Sequence, residues 1–320
     1  MSIVVRRVLL ASPRGYCAGV ERAVETVERA LELYGPPIYV RKQIVHNAHV
    51  VSELEQRGAV FVDCEAEAPR DATIVFSAHG VAPSVHAASA RLGHHTIDAT
   101  CPLVTKVHVQ ARRYAADGYT IVLIGHAGHE EVVGTMGEAP QSIVLVESVA
   151  DAEALDFPPG TRLAYITQTT LSVDETAEII TTLRRRFPDI HAPKKEDICY
   201  ATSNRQWAVK EMLSEVELLL VIGSRNSSNS NRLVEVARAG GVEAHLIDDE
   251  RDIDEEWLER VETVGVTSGA SAPERLVERV CEWFRAHGAD VEPYAMVDED
   301  VTFRLPVELR RELVLAEQQN

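Results

Sequence analysis

Three cysteines occupy one kind of position in this chain. Cys17 precedes the helix-patterned run AGVERAVETVERALELY, Cys101 precedes PLVTKVHVQARRYAADG, and Cys199 precedes YATSNRQWAVKEMLSEV. A helix N-terminus favours the thiolate, and the thiolate is the form that binds metal. The three lie 84 and 98 residues apart, so they cannot make the close CxxC pairs of a structural zinc site. Soft thiolates also suit iron–sulfur clusters, which are normally closed by four cysteines. With three, one iron would lack a protein thiolate and would join a Lewis acid to an electron source, which suggests chemistry on a bound oxygen atom. The two other cysteines read differently. Cys281, in VERVCEWFR, has Val277, Val280 and Phe284 at helical spacing and reads as core; Cys64, in VFVDCEAEAP, ends a strand and has no counterpart elsewhere. Five cysteines without close pairs make no disulfide framework, which places the chain in a reducing cytoplasm.

Polar loops form a second set of candidates. His46 lies in QIVHN, His79 in FSAHG, His129 in IGHAGHEEVVG with Glu131 two residues on, Thr169 in ITQTT, Ser227, Ser228 and Asn229 in SSNSN, and Ser271 in TSGAS. Serine and asparagine before a helix are common N-caps, and the same geometry leaves backbone N–H groups pointing at an incoming anion. Histidines that charge near neutral pH would complement a phosphate or diphosphate, with affinity expected to fall as alkaline pH discharges them. Glu131 is the acidic group placed to transfer a proton, since a desolvated carboxyl beside an anion has a raised pKa. His49 and His126 flank candidate residues, while His86, His94, His95, His108, His191, His245 and His287 fall on helical faces or connections.

These residues need elements to hold them. Apolar runs such as Thr73–Phe76, Thr120–Ile124 and Leu218–Ile222 each end in a Gly, Ser or His cluster and precede a helical pattern. Strands apolar throughout are buried on both faces, as in parallel sheets covered by helices, so the class is α/β. The order of units repeats. Residues 1–99 carry Cys17, His46 and His79; residues 100–197 carry Cys101, His129, Glu131 and Thr169; residues 198–287 carry Cys199, Ser227, Asn229 and Ser271. Three pseudo-threefold-related α/β domains would bring their strand-end loops to a common axis. Residues 288–320 lie outside the repeat and are expected to dock back on the body, with VTFRLP as a short strand and ELRRELVLAEQQN as a charged helix.

Bulk properties exclude several classes. A chain of 320 residues fits two or three domains, and 32 Lys+Arg against 50 Asp+Glu, a net −18, is wrong for a general nucleic-acid binder. The opening MSIVVRRVLLASPRGY has two arginines inside its apolar stretch and reads as a core strand, not a signal peptide. The longest apolar run elsewhere, near Val216–Ile222, is too short to span a membrane.

RGYCAGVERA, KQIVHN, FSAHGV, DATCPLVTKVH, IGHAGHEEVVGTMGE, ITQTTLSVDET, DICYATSNRQ, GSRNSSNSNRL and GVTSGASAPE, in this order from about residue 8 to about residue 282, resemble the family of 4-hydroxy-3-methylbut-2-enyl diphosphate reductases. The resemblance implies a cloverleaf of three α/β domains around one [4Fe–4S] cluster per chain, ligated by Cys17, Cys101 and Cys199. It implies that His46, His79, Ser227, Ser228, Asn229 and Ser271 hold the diphosphate, that His129 and Thr169 lie near the hydroxymethyl end, and that Glu131 donates a proton. The implied reaction is the two-electron reductive dehydroxylation of (E)-4-hydroxy-3-methylbut-2-enyl diphosphate to isopentenyl and dimethylallyl diphosphate, the last step of the non-mevalonate isoprenoid route. Its electron donor would be a ferredoxin or flavodoxin with an NADPH-dependent reductase. Two departures stand out: Glu130, where relatives often have proline, and Ser203, where threonine is frequent. Rival readings of an open cluster are a hydrolyase of the aconitase type, which needs no reductant, and a regulatory sensor without pocket chemistry.

Overall fold

The computed structural model describes residues 5–317; residues 1–4 and 318–320, at the ends of the expected first domain and of the tail helix, lie outside them. The chain begins with β1 (Arg7–Ser12) and α1 (Ala18–Tyr34). It continues through β2 (Ile38–Arg41), α2 (Ala48–Gln56), β3 (Ala59–Val62), β4 (Thr73–Phe76), α3 (Pro83–Arg91) and β5 (His95–Asp98). Next come α4 (Pro102–Ala116), β6 (Thr120–Ile124), α5 (Glu130–Glu138), β7 (Ile143–Val146), α6 (Val149–Ala154), β8 (Leu163–Thr167) and α7 (Val173–Arg186). The last stretch holds α8 (Tyr200–Met212), β9 (Leu218–Ile222), α9 (Ser228–Ala239), β10 (Glu243–Ile247), β11 (Thr263–Ser268), α10 (Glu274–Ala286), β12 (Asp290–Ala295) and α11 (Val307–Glu317).

The strands form three sheets, all of whose pairings are parallel, in the orders β3-β2-β4-β5, β7-β6-β8 and β10-β9-β11-β1-β12. The second sheet is extended by a parallel bridge from His191 to Ala164 on β8. One pattern therefore recurs: β4, β8 and β11 are each bordered by a segment that leads into a cysteine, namely β5 into Cys101, the His191 segment into Cys199, and β1 into Cys17. Sequence order had grouped each cysteine with the loops that follow it, whereas the sheets attach it to the loop that precedes it, with Cys17 attached to the last. The reason is burial. Val8, Leu9 and Ala11 of β1 are nearly inaccessible on both faces, so this strand needs neighbours on both edges, and β11 and β12 supply them.

The chain divides into two compact units. The first holds the five-stranded sheet and consists of the N-terminal segment through Ala18, His46–Val50 and Tyr200–Thr302. On one face, Val8, Leu218, Leu220, Ile222, Val264 and Val266 pack with Val277, Val280, Cys281 and Phe284 of α10. On the other, Leu9, Ala11, Leu219 and Val221 pack with Val209 and Met212 of α8 and Leu233 of α9. Cys281 is thus a core residue, as its spacing indicates. Edge strand β12 contains Pro293, which a central strand would not tolerate.

The second unit consists of Gly19–Val45, Val51–Cys199 and the chain from Phe303 onward, and holds the other two sheets. Ile121 and Leu123 of β6 face Val107, Ala111 and Val132, while Val122 and Ile124 face Ile179 and Leu183. The tail docks here through Arg22, whose guanidinium donates to the Arg304 carbonyl at 2.7 Å, and through Tyr34, whose hydroxyl donates to Glu312 on α11. The expected tail strand VTFRLP has no regular structure; the strand forms earlier, at β12, where the chain lies beside β1. Among the described residues no helix is long and apolar enough to cross a membrane.

One buried cation holds the loop before Cys17. Arg205 of α8 is fully buried, donates to the Gly15 carbonyl at 2.9 Å and the Ala201 carbonyl at 3.0 Å, and pairs with Glu299 at 3.0 Å. Removing one member of a buried pair costs about 3–5 kcal/mol. Arg205→Met is expected to lower stability by that amount, read from the shift of its urea unfolding curve. An unshifted curve would mean that the clamp contributes nothing.

Candidate functional site

In the first unit the path to Cys17 begins at Gly15, whose φ of +69° is the left-handed conformation that glycine adopts without cost. Its N–H donates to Ser268 Oγ at 2.8 Å, and the Cys17 N–H then donates to the Ala270 carbonyl at 3.2 Å. The Ala270 N–H in turn donates to Asn229 Oδ1 at 2.9 Å. Ser227 caps α9, accepting from the Ser230 N–H at 3.3 Å, and Ser228 is the first helical residue. Ser271 donates to the His46 carbonyl at 2.9 Å and stands 3.4 Å from Ser227 Oγ. This unit therefore gathers Cys17, His46, Ser227, Ser228, Asn229 and Ser271 around the start of α9, where backbone N–H groups and the helix dipole favour an anion.

His46 departs from its expected charge. Burial pushes its pKa down to about 4, so the ring is neutral near pH 7. Its Nδ1 stands 3.3 Å from the Asn226 amide nitrogen, which suits a ring that accepts there and keeps its proton on Nε2. Alkaline pH cannot discharge a ring that is already neutral, so the expected loss of affinity does not come from His46.

The second unit gathers His79, His129, Glu131, Thr169, Cys101 and Cys199. Glu131 is 2% exposed; its Oε1 accepts from the Thr169 N–H at 2.7 Å and its Oε2 from the Thr169 hydroxyl at 2.9 Å. Burial raises its pKa to about 7 despite these two bonds, with a smaller push from Asp197. His129 caps α5, its Nδ1 accepting from the Glu131 N–H at 3.2 Å, which leaves the ring proton on Nε2. The His79 and His129 rings stand edge to face at 5.9 Å. The Cys101 N–H donates to the Ala78 carbonyl and the Cys199 N–H to the Thr169 carbonyl, each at 3.0 Å. Both repeat the bond from Cys17 to Ala270. None of the five cysteines forms a disulfide, and Cys17, Cys101 and Cys199 are partly exposed. Among the described residues no group of three His, Cys, Asp or Glu side chains could hold a metal ion.

Several supporting residues carried no obvious sequence signal. Buried Ser230 donates to Ser227 Oγ at 2.9 Å, and a Cβ on Gly269 would fall 2.0 Å from its own Oγ, so a glycine is required where the two loops meet. Asp197 accepts from Lys106 at 3.1 Å and from the Thr167 N–H at 3.2 Å, tying the approach to Cys199 onto β8. Asp98 accepts from the Thr100 N–H at 2.9 Å before Cys101. The strings DATC and DIC hold the hint, an aspartate two or three residues ahead of the cysteine.

Fold and site together define an α/β protein of parallel sheets whose strand-end loops carry three cysteines outside any disulfide, a serine-capped helix start and a buried carboxyl able to hold a proton near neutral pH. Residues 8–292 match the family model described as LytB protein, and the chain belongs to that family. A relative from Acidothermus cellulolyticus, named 4-hydroxy-3-methylbut-2-enyl diphosphate reductase, is 60% identical over 310 residues, covering 96% of this chain and 91% of its own length. One of the same name from Mycolicibacterium paratuberculosis is 61% identical over 307 residues, covering 95% and 92%. The solved structure of the E-1-hydroxy-2-methyl-but-2-enyl-4-diphosphate reductase from Plasmodium falciparum matches with a TM-score of 0.95 at 38% identity, covering 98% of this chain and 99% of that one. A second, of (E)-4-hydroxy-3-methyl-but-2-enyl diphosphate reductase, matches with a TM-score of 0.63 at 30% identity, covering 88% and 100%.

The raised pKa of Glu131 links the site to stability. Between pH 4.5 and about 7 the folded chain holds a proton there that the unfolded chain has lost, so this contribution is complete below pH 4.5 and disappears as pH rises through 7. Glu131→Gln, which cannot ionise, is expected to gain melting temperature relative to the parent at pH 8 but not at pH 4.5. An equal difference at both pH values would contradict a raised pKa.

Proposed function

We propose that this chain reductively removes the hydroxyl of (E)-4-hydroxy-3-methylbut-2-enyl diphosphate, giving isopentenyl and dimethylallyl diphosphate as the last step of the non-mevalonate route. The observation that carries the reading beyond family membership is the Glu131 carboxyl. It is buried, has a pKa of about 7, and is bonded to Thr169, whose carbonyl holds the N–H of Cys199. A proton source is thus bonded to the loop that positions one of the thiols.

The donor set fits a [4Fe–4S] cluster. Three partly exposed thiols outside any disulfide each stand before a helix with the backbone N–H bonded to the main chain, and thiolate sulfur is the ligand such clusters take. Held by Cys17, Cys101 and Cys199, such a cluster would supply single electrons and one iron open to act as a Lewis acid. The protein's own residues do the rest. Ser227, Ser228, Asn229 and Ser271 offer hydroxyl, amide and backbone donors to the diphosphate at the start of α9. His46 adds a neutral N–H, and His79 a ring that can charge. Thr169 and His129 orient the hydroxymethyl end, and Glu131 supplies a proton. The overall change balances as one C–O bond broken, two electrons and two protons consumed, and one water released.

Domains 1–99, 100–197 and 198–287 with the tail 288–320 would each contribute loops to this site. Electrons would come from a ferredoxin or flavodoxin with its NADPH-dependent reductase, and five free cysteines suit the cytoplasm. A small anionic substrate is compatible with the acidic chain, because the donors around the start of α9 are local.

Glu131→Gln is expected to lose at least 100-fold in turnover, the scale of general acid catalysis, while keeping its visible cluster spectrum. Turnover of the parent should decline above pH 7 as Glu131 ionises. Undiminished activity in the variant would remove Glu131 from the mechanism, and activity independent of a reductant would favour a hydrolyase. Iron and acid-labile sulfide should be lost in Cys17→Ser and retained in Cys64→Ser and Cys281→Ser; equal content in all three would refute the ligand assignment.

A further inference from the structure

Glu130 stands beside Glu131 but faces another way. On α5, Glu130, Gly134 and Gly137 are spaced by four and three residues and share one face. That face lies against the turn at residues 80–82. A Cβ on Gly134 would come 3.2 Å from the Gly80 carbonyl oxygen, and one on Gly137 would come 2.3 Å from Ala82 Cβ. Close seating of the helix sets Glu130 against His79, with Glu130 Oε2 3.6 Å from His79 Nδ1. This is an ion-pair distance and longer than a hydrogen bond. Oε2 is shielded from solvent and makes no hydrogen bond among the described residues. His79 Nδ1 also stands 3.3 Å from Ser77 Oγ.

Two cations partly offset the effect of burial on Glu130. Burial raises its pKa, while Lys42 and Arg41 at the end of β2 oppose that rise and Asp63 adds slightly to it. Lys42 pairs with Asp63 at 2.9 Å and Arg41 with Glu65 at 3.1 Å, so the two cations are held in place. Lys42 adopts a φ of +58°, a conformation uncommon for a residue with a side chain.

We propose that Glu130 is a positioning residue for anion binding, holding a proton on His79 Nδ1 so that a charged ring presents its Nε2–H to a phosphoryl oxygen. The proposal rests on the reading that His79 holds the diphosphate. It gives a role to the carboxylate that stands where relatives often carry proline. A proline at this first helical position would serve the helix start equally well but could not hold a proton on the ring. With His46 neutral, His79 is the diphosphate-facing histidine equipped with a carboxylate partner.

The test is calorimetric titration of the anaerobic, cluster-loaded protein with inorganic diphosphate from pH 6 to 9, for the parent, Glu130→Gln and Glu130→Pro. An opposite charge at this distance shifts a pKa by about one unit or more. In both variants the alkaline fall in affinity should therefore begin about one pH unit lower than in the parent, giving binding roughly tenfold weaker above both midpoints. In turnover the change should appear in KM more than in kcat. A role confined to the helix N-terminus would alter melting temperature without moving this midpoint, so coincident profiles overturn the proposal while leaving the diphosphate reading intact. A parent that binds no diphosphate at any pH overturns both.

Discussion

The backbone hydrogen bond made by each cysteine's own N–H is the constraint on which this architecture turns. Cys17, Cys101 and Cys199 each donate to the carbonyl at the end of a neighbouring central strand, at Ala270, Ala78 and Thr169 respectively. A backbone donor in a partly buried loop must be satisfied. Here the partner is the main chain, so the backbone donor makes no demand on the side chain. Parallel pairing makes this possible, because the strand leading to the cysteine and the strand carrying the acceptor end on the same side of the sheet. The three thiols thus hang from equivalent points on three sheets, each immediately ahead of a helix.

The same loops divide the labour of charge. Two adjacent glutamates at the start of one helix meet different neighbours because the helix turns by about 100° between them. Glu131 looks into a nearly dry niche formed by Thr169 and holds its proton to about pH 7, while Glu130 looks toward a histidine with two cations behind it. Sequence position alone makes the pair look interchangeable. The glycine face of α5 separates them, since only residues without side chains let that helix approach the Gly80 turn so closely.

Much of this was legible in the sequence. Continuous apolar strands announced parallel sheets, equivalent cysteines announced a repeat, and the loops named by their serines, histidines and Glu131 are the loops that gather within each unit. What could not be read was pairing across long distance. Nothing local in RVLLAS shows that it lies between strands more than 250 residues later, and the tail strand forms at DVEPYA, not at VTFRLP, with Pro293 in an edge strand. An edge position tolerates a proline. The neutrality of His46 was equally hidden, because desolvation depends on neighbours brought by the fold. Arg205 escaped notice for a related reason: it lies in a polar helical run, and its partners Gly15 and Glu299 lie on other segments.

The placement of β1 has a consequence for how the protein is made. The first cysteine to leave the ribosome is the last to be fixed, for the Cys17 N–H has no acceptor until Ala270 has been synthesised, and β1 lacks its second neighbour until Ala295 has followed. The loops of Cys101 and Cys199 find their acceptors within 23 and 30 residues and can settle while translation continues. Vectorial synthesis therefore leaves an apolar N-terminal strand waiting through most of elongation, which exposes it to mispairing. Any group that needs all three thiols can be installed only after nearly the whole chain is complete.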